Sequence, residues 1–300
     1  MTALPPQKIY ISFEPGAYRM AMGLVARDPD ELIEIDEHFV HELAEKRELL
    51  ATRHDEVYAA VPGSEAACAE VLSHLAAFLP RRFPNWFTRD GAHLTNHLTG
   101  ETWDVENPAC PPLELASRLV QEDLCLVRPD PDGPILAAAS LCFPSRWRLQ
   151  EKIGHPLAHV HTKVPFYGER LASPVDRFMQ MLRAGKMVER LNWSMMDDPA
   201  LFQPGGKWRR ETAPEITAEN AGEKLWLRVE RQTLMRLPET GFVLFGIRLY
   251  VYPLPRIAAD PAMAARLAEA IRALPEATAH YKSLLPFRGA VLAWLDARAA

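Results

Sequence analysis

LRVERQTLMRLPETGFVLFGIRLYVYPL, residues 227–254, is the stretch on which the fold turns. Residues 225–236 and 242–254 are two long β-rich runs, and the Pro-Glu-Thr-Gly between them is a turn signal, so together they read as an antiparallel hairpin. Alternate side chains of a strand point to opposite faces, which puts Leu225, Leu227 and Val229 on one side and Arg228, Glu230 and Gln232 on the other. One face is oily and the other polar. A half-solvated strand gives this pattern, and so does a strand whose polar row lines a pocket.

Upstream lies a second hairpin. Residues 123–128 and 135–143 are strand-like runs joined by Pro-Asp-Pro-Asp-Gly, with a short helix expected at 113–121 before them. Residues 148–198 read as mostly helical segments broken at Pro156, Pro165 and Pro174, followed by the loop FQPGGKWRRETAPE. Its PGGK is not a phosphate loop, because the remaining glycine and the Ser or Thr after Lys207 are missing. Hairpin, helical middle, hairpin is the order of an α+β, PAS-like domain, an antiparallel sheet with helices packed on one face and a ligand between them.

Helical extensions flank this core. Residues 1–25 are Pro-rich and read as an extended arm. Leu32, Ile35, Phe39 and Leu43 keep helical spacing behind a cap at Asp28 or Asp30, and Ser64 caps a second helix with Val71, Leu75 and Phe78 inward and Pro80 at its end. Residues 80–108 read as a loop anchored by Phe83, Trp86, Phe87 and Trp103, which leaves His93 and His97 as surface histidines. Asp260-Pro261 opens a C-terminal helix with Met263, Leu267 and Ile271 on one face, the first of a pair. The expected division is an arm and helical layer at 1–112, the ligand-binding core at 113–256 and C-terminal helices at 257–300.

The chemistry concentrates in LCFPSRWRLQEKIGHPLAHVHTKVPFY, residues 141–167, with three histidines in seven residues. Pro156 favours a first helical position and Pro165 forbids helix at Val164, so any helix between them is short. On it, His159 and His161 lie about 200° apart and point away from each other. His155 and His159 can meet on one face, but two imidazoles do not complete a structural zinc site. A single inward histidine suits haem iron, which needs one protein nitrogen. A core or capping histidine with no metal at all gives the same pattern and is the commoner case.

Composition excludes several classes. The net charge is −5 and the basic residues are dispersed, which argues against nucleic acid or an anionic membrane as partner. No apolar run reaches eighteen residues and MTALPPQKIY lacks a signal-peptide core, so a cytoplasmic location is expected. Cys68, Cys110, Cys125 and Cys142 form no Cys-x-x-Cys pair, so neither a zinc ribbon nor an iron–sulfur cluster is encoded.

Seven segments together resemble one family, the haem-dependent oxidative N-demethylases, whose haem subunit has a PAS-like fold. They are YRMAMGL (18–24), LIEIDEHF (32–39), LCFPSRW (141–147), KIGHPLAHVHTKVPFY (152–167), SPVDRFMQML (173–182), VERLNWSM (188–195) and the stretch 227–254. The resemblance implies haem b on the histidine ahead of the Val-Pro pair, His161, with His159 the neighbouring alternative. It implies a small secondary methylamine such as dimethylamine as substrate, oxidised with O2 to primary amine and formaldehyde through a carbinolamine. In such a site Glu230 would hold the ammonium and Arg228 or Arg248 would polarise oxygen or bind a propionate. Arg146, Arg148 and Lys163 are rival propionate partners, and Tyr167 and Trp193 wall the pocket or pack in the core. With no dinucleotide-binding glycine motif and no cluster cysteines, electrons from NADPH would arrive through reductase subunits carrying FMN and [2Fe–2S], with tetrahydrofolate elsewhere in the assembly. A haem-based PAS gas sensor and a non-haem binding or scaffold protein are the alternative readings.

Overall fold

The computed structural model describes residues 3–13, 16–205 and 213–299. Seven strands form one antiparallel sheet in the order β1 (Val25–Arg27), β8 (Met187–Met196), β9 (Trp226–Arg236), β10 (Val243–Pro253), β6 (Asp123–Arg128), β7 (Ile135–Ser140) and β2 (Tyr58–Ala60). A second sheet holds β3 (Phe87–Asp90), β4 (His93–Asn96) and β5 (Glu101–Asp104). The architecture is α+β.

The hairpin of β9 and β10 runs in unbroken register from Trp226 opposite Pro253 to Arg236 opposite Val243. Residues facing each other across a ladder share a face of the sheet. Leu227, Val229, Arg231 and Met235 therefore stand with Tyr252, Tyr250, Arg248 and Leu244 on the first face, and Arg228, Glu230, Gln232 and Leu234 with Val251, Leu249, Ile247 and Phe245 on the second.

The long helices cover the first face. Phe39–Thr52, Glu65–Arg82 and Pro112–Arg118 pack on Leu124, Leu126, Met235 and Leu244, while Pro261–Ala273 and Arg288–Ala299 pack on Leu227, Val229, Tyr250 and Tyr252. The N-terminal arm lies on this side too, tied where the Tyr252 hydroxyl donates to the Lys8 carbonyl at 2.6 Å and Phe13 packs against Trp193. Short helices, Leu157–Val160, Tyr167–Arg170 and Ala172–Met181, cover the second face, where Leu157, Met179 and Leu182 meet Val127, Leu234 and Val243.

Several expectations need correction. Residues 187–196, placed in the helical middle, form β8 and pair along that whole length with β9, because Leu191, Trp193 and Met195 alternate with cavity-facing polar residues and the ladder satisfies the backbone groups of that edge. Residues 87–104, expected as loop, form the small sheet, turned at Gly91 and Gly100, whose φ values of 55° and 74° glycine adopts without strain. Phe87 and Leu94 from it join the core, while His93 and His97 are exposed. Asp28 caps only the short turn Pro29–Glu31, and the first long helix starts at Phe39, with Leu32 and Ile35 buried outside it. Pro80 lies inside the last turn of its helix, which ends at Arg82, and Ser64 donates to the Val61 carbonyl instead of capping. Lys207, in the glycine loop, lies outside the described residues. Among the described residues, no helix is long and apolar enough to cross a membrane.

Candidate functional site

Between the second face of the sheet and residues 141–182 lies a cavity of about 410 Å³, a size that suits a small-molecule or cofactor site. Leu136, Leu157, Val160, Phe178, Phe245 and Ile247 give it apolar walls. It also wraps the outer edge of β8. That edge is paired with β1 only over Met187 to Glu189, so beyond Glu189 the space continues to Tyr18, Tyr281 and Lys282.

His161 lines this cavity, and His155 and His159 do not. The short helix Leu157–Val160 ends at His161, whose Nδ1 lies 2.8 Å from the carbonyl oxygen of Leu157. A carbonyl only accepts, so Nδ1 carries the proton and Nε2 is the basic nitrogen. The ring stacks on Tyr167 at 4.5 Å and 12°, which fixes its plane. Pro165 helps to seat Tyr167 by ending the helical turn, and Phe166 between them takes φ 62°. The rings of His155 and His159 stack on one another at 4.2 Å on the exposed side.

Glu230 stands on the second face among neutral donors. Its Oε1 accepts from the Ser145 hydroxyl at 2.5 Å, and its Oε2 from the amides of Gln232 at 2.7 Å and Asn192 at 3.3 Å. Burial pushes the carboxyl up, but the Ser145 hydrogen bond, the Arg228 charge and the two amides outweigh it, so the group is held below the ordinary carboxylate value and stays ionised.

The arginines divide. Arg228 is fully buried and gives its guanidinium to the carbonyls of Phe143 at 2.9 Å, Leu201 at 3.0 Å and Ala200 at 3.1 Å, with Nε on Ser145 at 3.0 Å. Burial pulls its pKa down to about 10. It clamps the loop that carries Ser145 and does not line the cavity. Arg248 is on the opposite face, bonded to Asp36 at 2.7 Å and Glu42 at 2.8 Å, so it does not meet Glu230. Arg146 does reach the wall: it pairs with Asp197 at 2.6 Å and with Gln203, and its Nη1 is buried with no hydrogen-bond partner. Lys163 and Arg148 are exposed, Lys163 lying 3.8 Å from Glu151. Trp193 packs edge-on against Phe13 in the first-face core and also touches the cavity.

The sequence reading missed Arg190, Asn192, Ser145 and Tyr281. Alternation along 187–196 was the available signal, since as a strand it puts Arg190 and Asn192 beside Gln232 and Glu230 on one face. The polar atoms left buried without a hydrogen bond include Tyr167 Oη, Arg190 Nε and Arg146 Nη1, all three in side chains of the cavity wall. Backbone strain gathers here too. Among the described residues, the non-glycine residues with positive φ are Arg146 (61°), Phe166 (62°) and Ser283 (58°), and each lines the cavity or adjoins a residue that does. Such a conformation costs roughly 1–2 kcal/mol per residue and persists where the surroundings demand it.

Among the described residues, no three His, Cys, Asp or Glu side chains are grouped as a metal site, whereas haem iron can be held by one imidazole. A basic Nε2 on an oriented ring, apolar walls and cationic groups with unmet donors fit that group. Compared with known families, residues 23–292 match the model described as haem-dependent oxidative N-demethylase, alpha subunit-like.

Proposed function

The chain belongs to the haem-dependent oxidative N-demethylase, alpha subunit-like family, and from that membership we propose that it is the haem-binding catalytic subunit of an enzyme that demethylates a small secondary amine such as dimethylamine. The observation that carries this reading is His161 in the cavity wall, its Nδ1 on the Leu157 carbonyl and its ring against Tyr167. Haem b held there on Nε2 would supply oxygen activation, and Arg146 and Lys152 stand in the wall as partners for its propionates. The antiparallel sheet, with the ligand held against one face by short helices, is then a PAS-like haem module.

The chain's own residues do the rest. Ionised Glu230 attracts the protonated amine by a charge-assisted hydrogen bond and holds its methyl group within the cavity. Ser145, Asn192 and Gln232 fix that carboxylate, and Arg228 fixes Ser145. Apolar walls exclude water, which strengthens the pairing. Electrons come from NADPH through separate subunits carrying FMN and [2Fe–2S], and tetrahydrofolate takes the formaldehyde elsewhere in the assembly.

Substitution at the three histidines tests this. The purified chain is expected to show a Soret band that His161→Ala removes or shifts, with added imidazole restoring it in part, while His155→Ala and His159→Ala leave it intact. Unchanged spectra in all three would place the iron ligand outside this segment and defeat the assignment.

A further inference from the structure

Arg190 sits on β8 just where its outer edge loses the β1 partner, on the face and in the cavity that hold Glu230. Its Nε is buried with no hydrogen-bond partner, whereas Arg146, elsewhere in the wall, is paired with Asp197. Burial pulls the guanidinium below its ordinary range despite the charge of Glu230. Glu230 lends it charge without a described hydrogen bond or ion pair, its carboxylate accepting from Ser145, Asn192 and Gln232 instead. Tyr167 and Tyr281, two of the phenols near Arg190, are pushed up to about 12 by burial and are neutral at working pH. A buried cation to which Glu230 lends charge but no hydrogen bond stays costly until a paired anion reaches it.

The planar fork of a guanidinium matches a carboxylate with two parallel hydrogen bonds. Arg190 faces Gln232, and Asn192 faces Glu230, so cation and anion stand one two-residue step apart, roughly 7 Å along the strands. An ammonium and a carboxylate joined by one carbon, each with its own hydrogen bond, span that order of distance. We infer that Arg190 is a carboxylate-binding residue of this cavity and that the pair Arg190 and Glu230 takes an N-methylated amino acid, carboxylate on the arginine and ammonium on the glutamate. This rests on the reading of the cavity as an amine-oxidising haem site, and one other carboxylate has the same chemistry, a haem propionate.

Calorimetric titration of the purified holoprotein with N-methylglycine and with dimethylamine separates the sources, with haem content read from the Soret band of the same samples. The wild type is expected to bind N-methylglycine about tenfold to a hundredfold more tightly than dimethylamine, the worth of one charge-assisted interaction. Arg190→Gln is expected to erase that preference with haem content retained and dimethylamine bound no more weakly than by the wild type, since a like charge is removed, and Arg190→Lys, which keeps the charge without the fork, to fall between. If the wild type shows no preference and both variants instead lose haem with melting curves unchanged, the carboxylate is the propionate and the amino-acid substrate is refuted. Unchanged N-methylglycine affinity and unchanged haem in Arg190→Gln would overturn the role of Arg190 altogether. A chain that lacks a Soret band yet binds N-methylglycine through Arg190 would sink the demethylase reading and leave the carboxylate site standing.

Discussion

Glu230 shows how little of a site is one residue's own property. Its carboxyl is ionised because a hydroxyl, two amides and a neighbouring guanidinium oppose the cost of burial, and an ionised carboxylate in an apolar cavity is what recognises a protonated amine. Glu230→Gln is therefore expected to weaken amine binding about tenfold to a hundredfold, the equivalent of roughly 1.5–3 kcal/mol, while the Soret band stays at wild-type intensity. Amine titration of the haem spectrum measures this, and equal affinities in the two proteins would remove Glu230 from the substrate site. The choice of His161 came from the family resemblance, and what the spacing made legible was that His159 and His161 turn to different sides of a segment bracketed by prolines at 156 and 165. The opposite placement of Arg248 was not legible. Glu230 faces Leu249 rather than Arg248, a parity set by the turn geometry between Arg236 and Val243, which Pro-Glu-Thr-Gly does not specify by composition alone.

At the scale of elements, legibility followed length and punctuation. The two hairpins could be read because their runs alternate between clear turn signals, while β3, β4 and β5 have four residues each, too few for a period to stand out from an Asn- and Gly-rich background. In β8 the apolar alternation is interrupted by Glu189, which sits on the oily face because Arg231 from β9 pairs with it there. That pairing is tertiary and invisible locally. Docking of the C-terminal helix has a similarly specific origin: Gly222, in the short helix Ala221–Lys224, lies under the indole of Trp294, where an added Cβ would meet ring carbon Cε2 at 2.7 Å. A rigid ring pinned in the core cannot yield cheaply. Gly222→Ala is expected to cost roughly 1–3 kcal/mol and to lower the melting temperature by several degrees. A melting curve superimposable on the wild type would mean that the helix Arg288–Ala299 shifts without cost.

Across the whole molecule the sheet separates two kinds of buried charge. The second face holds the cavity groups, and the first face holds a structural network in which Arg248 bonds Asp36 and Glu42, and Arg231 bonds Glu189. Described cysteines form no disulfide, and with no cluster-type cysteine spacing the chain is expected to show negligible NADPH-dependent oxygen uptake by itself and to gain it when reductase subunits are added. The network makes a further claim. Glu122 lies fully buried within it, accepting the Glu34 amide on one oxygen, while the other has no hydrogen bond. Burial pushes its carboxyl up to about 7 against the opposing charges of Arg248 and Arg231. Because its pKa is higher folded than unfolded, the folded chain binds more protons between about 4.5 and 7, and stability must fall as pH rises through that window. The contribution is fully present below about 4.5 and lost above about 7, roughly 3 kcal/mol at 1.36 kcal/mol per pH unit. Glu122→Gln removes the titration but keeps a carbonyl oxygen to accept the Glu34 amide. The stability of the variant relative to the wild type is thus expected to be constant below pH 4.5 and to rise by that amount between pH 5 and pH 8, measured by urea unfolding at each pH. A difference that stays flat across the range would mean that Glu122 is ionised in the folded protein at all these pH values, its charge carried by the two arginines.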